Sequence, residues 1–338
     1  MDRDQEKFRF LSFLGIFKEA FNITTSHKKI FTQITLSLIL PLSFIYVSQN
    51  EISGFVFGQN EIISPSTNFT DDTQMESQTY ANPPNIFSSE TTSFWLFKLA
   101  FFISSILLSL VSTSAVVFTV ACIYSAKETT YKKVMKVVPK VLKGLLITFF
   151  WIFIISFAVI MGVSLIIFLV VFLVVITSGV PSTPGVPVMI LLLVFGGIIL
   201  LGILYMSLVW QLANIVSVLE DVHGIQAMKK SKNLIKGNSG LCAAVLVVLN
   251  LCFLGIDLGF KASVVGGDSV WGKILHACLW AMLMSILSLL GLVIQTIIYF
   301  VCKSYHGETI GKSSLAHRLE VFHKDYDQLD SQEEVSMV

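Results

Sequence analysis

The sequence predicts an all-α integral membrane protein, a bundle of six transmembrane helices with amphipathic helices at its cytosolic interface. Apolar residues form 54% of the chain and charged residues only 13%, whereas a soluble domain carries about a quarter charged residues. Six stretches approach or exceed the roughly 20 apolar residues that span a bilayer as a helix. Basic residues alternate between the connecting segments, which is typical of a multi-pass protein.

The six apolar stretches differ in length and in what interrupts them. The first contains Pro41, which predicts a kink. The third and fourth exceed 30 residues, so at about 1.5 Å per residue they are longer than a hydrocarbon core of roughly 30 Å. We expect these two to tilt or to extend from the membrane as helical stalks. The stretches are residues 30–47, 96–124, 145–175, 188–219, 241–263 and 274–302.

The distribution of basic residues predicts the orientation. The loop 48–95 has six acidic residues and no Lys or Arg, whereas lysines concentrate in segments 1–29, 125–144, 220–240 and 303–338. Because Lys and Arg favour the cytosolic side, both termini and both basic loops are predicted to be cytosolic. The organisation is then a cytosolic amphipathic segment (1–29), a six-span membrane domain (30–302) and a cytosolic tail (303–338).

The outer loop contains a candidate glycosylation site. The predicted location is an endomembrane, the endoplasmic reticulum or another membrane of the secretory pathway, with the plasma membrane as an alternative. The loop contains the sequon Asn68-Phe69-Thr70, so in that pathway we predict a glycoprotein with a glycan on Asn68.

The two inner loops resemble each other, which suggests an internal repeat. Met135-Lys136 is followed by Lys143-Gly144, and Met228-Lys229 is followed by Lys236-Gly237 at the same spacing. Residues 8–24 form a looser third copy. Each copy would be an interfacial helix followed by two spans, repeated three times. The simpler alternative is that juxtamembrane loops are generally basic. Candidate lipid-headgroup contacts are Lys132, Lys133, Lys136, Lys229, Lys230 and Lys232.

Polar residues inside the spans are the candidate intramembrane site, because unpaired polar groups are costly there. They fall on one helical face in each span. One interpretation is a polar cavity between spans four, five and six; the other is hydrogen bonding that only packs the helices. Asp257 and Lys261, four residues apart, predict an intrahelical ion pair. The set is Ser207, Gln211, Asn214, Asn250, Asp257, Lys261 and Gln295.

Motifs that would indicate catalysis are not found. The sequence has no phosphate-binding glycine loop, no His-Glu-x-x-His and no Cys-x-x-Cys. The histidines form no convincing ligand set, so no cofactor or metal is expected. No basic tract with interleaved aromatic residues is present, so nucleic acid is not an expected partner. The sequence therefore favours a protein that is not an enzyme.

Three segments resemble a known family. Residues 14–21, 112–117 and 299–306 resemble a plant family of uncharacterised multi-pass transmembrane proteins, and the resemblance covers nearly the whole chain. The loop 227–237 is also similar to the inner loop of bacterial six-helix proteins, including the membrane domain of some glycerophosphodiester phosphodiesterases. The resemblance implies a fold and a plant origin; it supplies no catalytic residues, and no phosphodiesterase domain is present.

Two functions follow as hypotheses. The first is a non-enzymatic membrane protein that organises lipids or a cytosolic or membrane protein partner at the cytosolic face, as the Lys-rich amphipathic helices suggest. The second is a transporter of a small polar solute or lipid, which would use the polar faces of spans four to six.

Overall fold

The computed structural model describes residues 12–49, 89–125, 129–178, 186–220, 222–265 and 270–307. Within these ranges the chain forms helices and no strands, which confirms the predicted all-α class. In chain order the helices are α1 Phe13–Ser26, α2 Lys28–Gln49, α3 Ser89–Tyr124, α4 Tyr131–Ser178, α5 Val186–Leu219, α6 Ile225–Ile235, α7 Ser239–Val265 and α8 Val270–Tyr305.

Six of these helices are long and apolar enough to cross a membrane, which confirms the predicted number of spans. They are α2, α3, α4, α5, α7 and α8. We call one end of the bundle the basic end; Lys28 of α2, Lys132 of α4, Lys229 of α6 and Lys303 of α8 lie there. The half of the spanning helices away from it is called the far half.

A π-helical turn interrupts the first span. It covers Thr35–Ile39 and lies directly before Pro41, where the sequence predicted a kink. Proline has no N–H, so it cannot donate to the carbonyl of Ser37 one turn earlier. A wider turn is one way in which a helix adapts to such a break. The Tyr131 hydroxyl also donates to Ser37 Oγ at 2.9 Å, which ties this turn to the start of α4.

The two Lys-Gly segments have different structures. Residues 131–144 begin the continuous helix α4, rather than forming the separate interfacial helix that the repeat predicted. After α6, by contrast, Gly237 adopts a φ of 94°, and the chain turns into α7. Only glycine adopts this backbone conformation without strain. The third span thus continues beyond its apolar stretch into the basic segment, as a helical stalk would, and the two parts form one uninterrupted helix.

The large core of the bundle lies toward the basic end. Fully buried residues recur on α3, α5 and α8, for example Val116, Val216 and Ile297. Helix α1 packs its Ile16, Ala20 and Ile23 face against this core, while Leu14 and Phe21 stay exposed. In the far half most side chains of α4 beyond Ile152 are exposed.

Candidate functional site

A cavity of about 670 Å³ lies among the spanning helices. This is within the roughly 300–1,000 Å³ of pockets that hold small organic ligands. Side chains from all six spanning helices line it, with α2 and α3 supplying most of the polar ones. The wall consists of Leu42, Ser43, Tyr46, Gln49, Ser105, Ile106, Ser109, Leu110, Thr113, Phe149, Asn214, Phe253, Leu254, Asp257, Met284 and Ser288.

The cavity lies between two packed regions. Toward the basic end it meets the large core at Leu110 and Phe149. Away from it, Val47 of α2, Phe260 of α7 and Ala281 of α8 form a small second cluster. Phe260 and Ala281 lie about one helical turn beyond lining residues of their own helices, and Val47 lies next to Tyr46. Two wall residues, Tyr46 and Leu254, are 46% and 51% exposed, so the cavity is not sealed from its surroundings. We call it the lateral cavity.

Several hydroxyl groups in the wall already donate their proton to a backbone carbonyl of their own helix. Ser43 donates to the carbonyl of Ile39 at 3.0 Å. Ser105 donates to Phe102 at 2.8 Å, and Thr113 to Ser109 at 2.8 Å. A hydroxyl has one proton but two acceptor lone pairs, so these three groups retain accepting capacity only.

Asp257 and Asn214 add further polar atoms to the wall. Lys261 Nζ donates to Asp257 Oδ2 at 2.7 Å, and this is the intrahelical pair that the spacing predicts. The carboxylate side chain is 17% exposed and lines the cavity, whereas the lysine side chain is 61% exposed and does not. The Asn214 Oδ1 atom is buried and has no hydrogen-bond partner among the described residues.

The predicted intramembrane residues are not all brought together. Asn214 and Asp257 line the lateral cavity. Asn250 instead donates from Nδ2 to the carbonyl of Leu246, within its own helix, at 2.8 Å. The rest lie outside the lining: Ser207, Gln211 and Gln295 are half-buried, and Lys261 is exposed.

Reasoning from the sequence missed the contribution of the first two spans. Ser43, Tyr46 and Gln49 follow each other at three-residue spacing on α2, directly after the π-helical turn. On α3, Ser105 and Ser109 resemble a seam for close helix packing, but the structure places both in the cavity wall. The three-residue spacing of polar residues in the first span was the available signal.

The basic end contains a second polar group, which we call the Glu220 cluster. The Glu220 carboxylate accepts hydrogen bonds from Tyr299 Oη at 2.6 Å and Lys303 Nζ at 2.7 Å, and Lys230 Nζ lies 2.5 Å from its other oxygen. Burial by itself raises the pKa of Glu220, but these three hydrogen bonds and the charge of Lys303 outweigh it and hold the pKa below its usual range. The cluster joins the end of α5 to α6 and α8.

A hydroxyl–imidazole network lies beside this cluster. Thr148 Oγ1 is 2.9 Å from Ser217 Oγ, which is 3.2 Å from His223 Nδ1. The backbone N–H of Gly224 donates to Thr148 Oγ1 at 2.8 Å. The His223 ring lies where a side chain on Gly144 would be: a Cβ there would be 2.3 Å from its Cε1. Because Gly144 has no side chain, it leaves room within helix α4 for His223 of the α5–α6 connection.

The predicted headgroup contacts have different environments. Lys230 of α6 is half-buried and paired with Glu220, whereas Lys229 and Lys232 on the same helix are exposed. On α4, Lys132 and Lys136 are exposed and Lys133 is half-buried. The predicted glycosylation site Asn68 lies outside the described residues. Within the described part of the chain, no three His, Cys, Asp or Glu side chains are grouped to hold a metal ion.

The six apolar helices define an integral, multi-span helical membrane protein. A family model described as "Domain of unknown function (DUF8558)" matches residues 1–338. The chain therefore belongs to the DUF8558 family, which is an uncharacterised family, as the resemblance implied. The plant origin and the similarity to phosphodiesterase membrane domains stay predictions. No curated protein and no solved structure matches the chain.

Proposed function

We propose that this chain is a non-enzymatic membrane protein that holds a lipid in the lateral cavity. The observation that carries the proposal is a cavity of about 670 Å³ with polar and apolar walls in the spanning region. A lipid needs both kinds of surface, one for its polar head and one for its hydrocarbon. Leu42, Ile106 and Phe253 supply apolar wall between the polar residues.

The position of the cavity favours a bound lipid over a solute that crosses the membrane. The Glu220 cluster cross-links α5, α6 and α8 at the basic end, where a path through the bundle would have to open. The exposed wall residues Tyr46 and Leu254 offer access from the side, where the spanning helices meet lipid. Transport of a small polar solute or lipid, the alternative from the sequence, would require the basic end to separate.

A specific observation also supports organisation of lipid at the cytosolic face. Helix α1 is apolar on two sides: Ile16, Ala20 and Ile23 pack on the bundle, and Leu14 and Phe21 are exposed. An exposed apolar face beside charged residues is what an interfacial helix inserts among headgroups. We infer that the basic end and both termini face the cytosol, in a membrane of the secretory pathway, because lysines concentrate there.

The test of the proposal is lipid retention by the purified full-length protein. Ser109→Phe places a ring in the cavity, and Ser164→Phe is its matched control, because Ser164 is an exposed serine on a spanning helix outside the cavity. We expect native membranes to yield wild-type protein and Ser164→Phe with the same enriched lipid, measured by mass spectrometry. Ser109→Phe should lose that lipid while eluting as the same monodisperse species.

Two results would contradict the proposal. One is the same lipid bound in the same amount by Ser109→Phe. The other is a wild-type protein whose co-purifying lipids match the composition of the bulk membrane.

A further inference from the structure

We infer that the lateral cavity selects an uncharged amphiphile whose head carries a hydroxyl group, and that it discriminates against anionic lipids. The inference rests on the proposed function and names its ligand class. It follows from how the polar atoms of the wall are already bonded and from which charged group reaches the cavity. The two arguments are independent, since one concerns hydrogen bonds and the other concerns charge.

The first argument is that three hydroxyl groups of the wall can only accept hydrogen bonds. Ser43, Ser105 and Thr113 each donate their single proton to a carbonyl of their own helix, at 2.8–3.0 Å. Toward the cavity these groups can therefore only accept. A ligand head that lacks a donor cannot bond to them, whereas a hydroxyl can bond to any of the three.

A fourth acceptor belongs to the wall residue Asn214. The Oδ1 atom of Asn214 is buried without a hydrogen-bond partner among the described residues, and leaving such an atom unsatisfied costs free energy. The wall also contains Ser109 and Ser288, whose hydroxyls can donate or accept, so the head can be a hydroxyl that does both.

The second argument is the sign of the charge that lines the cavity. Asp257 forms part of the wall and Lys261 does not. A carboxylate or phosphate head would approach the negative member of the pair while the positive member faces away, and this contact is unfavourable in a medium of low dielectric constant. A cationic head would have to compete with Lys261, which already binds the carboxylate at 2.7 Å, and moving a charged group out of water is itself costly. An uncharged hydroxyl satisfies the acceptors and avoids both problems.

The test uses three photoreactive probes that differ only at the head. Each carries the same 16-carbon chain with a diazirine at the same carbon, and the heads are a hydroxyl, its methyl ether and a carboxylate. The full chain is purified in nanodiscs of neutral phospholipid and labelled over a concentration series. The readout is the half-saturating concentration for labelling of peptides that line the cavity, such as residues 105–113.

We expect the alcohol to label these peptides saturably. The ether should require a concentration roughly three- to tenfold higher, which corresponds to the loss of one hydrogen bond. The carboxylate should bind more weakly than the alcohol, and Asp257→Asn should improve its binding. Ser105→Ala, which removes an acceptor, should reduce the preference for alcohol over ether, whereas Ser164→Ala outside the cavity should leave the preference unchanged.

The outcomes separate this inference from the proposed function. Saturable labelling with equal half-saturation for alcohol and ether, or with the carboxylate strongest, overturns the inference and leaves lipid binding intact. Labelling that does not saturate for any probe overturns lipid binding and the inference together. A preference that Ser105→Ala leaves unchanged also counts against the role of the acceptor wall.

Discussion

The basic end and the far half of the bundle consist of similarly apolar helices, yet only one of them is tightly packed. On α4, Val134, Val138 and Leu145 are buried near the basic end, whereas Phe157, Leu165 and most of their neighbours in the far half are exposed. In a bilayer, lipid chains are as apolar as leucine, so hydrophobicity alone does not bring helices together. Packing must depend on other interactions.

Polar bonds between helices distinguish the two regions. At the basic end Glu220 bonds to α6 and α8, Thr148 to Ser217 of α5, and Ser231 of α6 to the carbonyl of Val209 at 2.8 Å. In the far half, side chains such as Ser164 and Ser43 bond within their own helix. The comparison suggests that the basic end holds the fold together, and that the less tightly packed region beyond it, from the lateral cavity onward, is left able to accommodate a ligand.

The largest expected effect comes from removing the charge of Glu220. Glu220→Gln keeps the size of the side chain but leaves Lys230 and Lys303 near an uncharged group in a largely buried site; the Glu220 side chain is 12% exposed. We expect a loss of about 2–3 kcal/mol in the free energy of unfolding, near the low end for a broken buried pair because Lys230 is partly exposed. Unfolding in a detergent titration measures it.

The far half provides the matched control for this change. Asp257→Asn removes a carboxylate from an ion pair within one helix, and Lys261 there is exposed. We expect a change below about 1 kcal/mol. If the two variants lost equal stability, the basic end would not be the region that holds the fold together.

The next effect compares two glycines of the same helix, α4. At Gly144 a Cβ would lie 2.3 Å from the His223 ring, while at Gly162 it would meet nothing within 4 Å. Gly144→Ala should destabilise by about 1–2 kcal/mol, because the cost of overpacking exceeds the gain in helix propensity. Gly162→Ala should be neutral or stabilising by up to about 1 kcal/mol. Equal shifts in the same unfolding titration would contradict the difference in packing.

Sequence reasoning predicted the fold more completely than the site, for physical reasons. Hydrophobic length and composition are properties of each segment, so six spans could be read directly. The lateral cavity depends on which helices are neighbours. Asn214 and Asp257 were identified on the polar faces of the fourth and fifth spans, but nothing local showed that Ser43 and Tyr46 of the first span face the same space. The matched Lys-Gly spacing is also a local property of the sequence. It did not show that the two glycines have different roles: Gly144 leaves room for the His223 side chain, and Gly237 lies in the turn after α6.

Acid should weaken the basic end selectively. Because the pKa of Glu220 in the folded protein lies below its ordinary value of 4.5, its stabilising contribution is fully present above pH 4.5. That contribution is lost as the pH falls through the lower folded pKa. The difference in unfolding free energy between wild type and Glu220→Gln should therefore shrink below pH 4.5. A difference that stays constant down to pH 3 would show that the carboxylate charge does not stabilise the cluster.

The smallest expected effect on stability concerns the exposed lysines of α6. Lys229 and Lys232 are exposed, whereas Lys230 bonds to Glu220. The double variant Lys229→Gln/Lys232→Gln should leave the unfolding free energy within about 0.5 kcal/mol, because surface charges contribute little. Lys230→Gln should destabilise.

If the exposed lysines bind headgroups, the double variant should also retain less anionic lipid from mixed nanodiscs, since each lysine near a charged surface contributes about 1 kcal/mol. Unchanged anionic-lipid retention would limit the role of the basic end to holding the fold together, and lipid recognition would then rest on the lateral cavity.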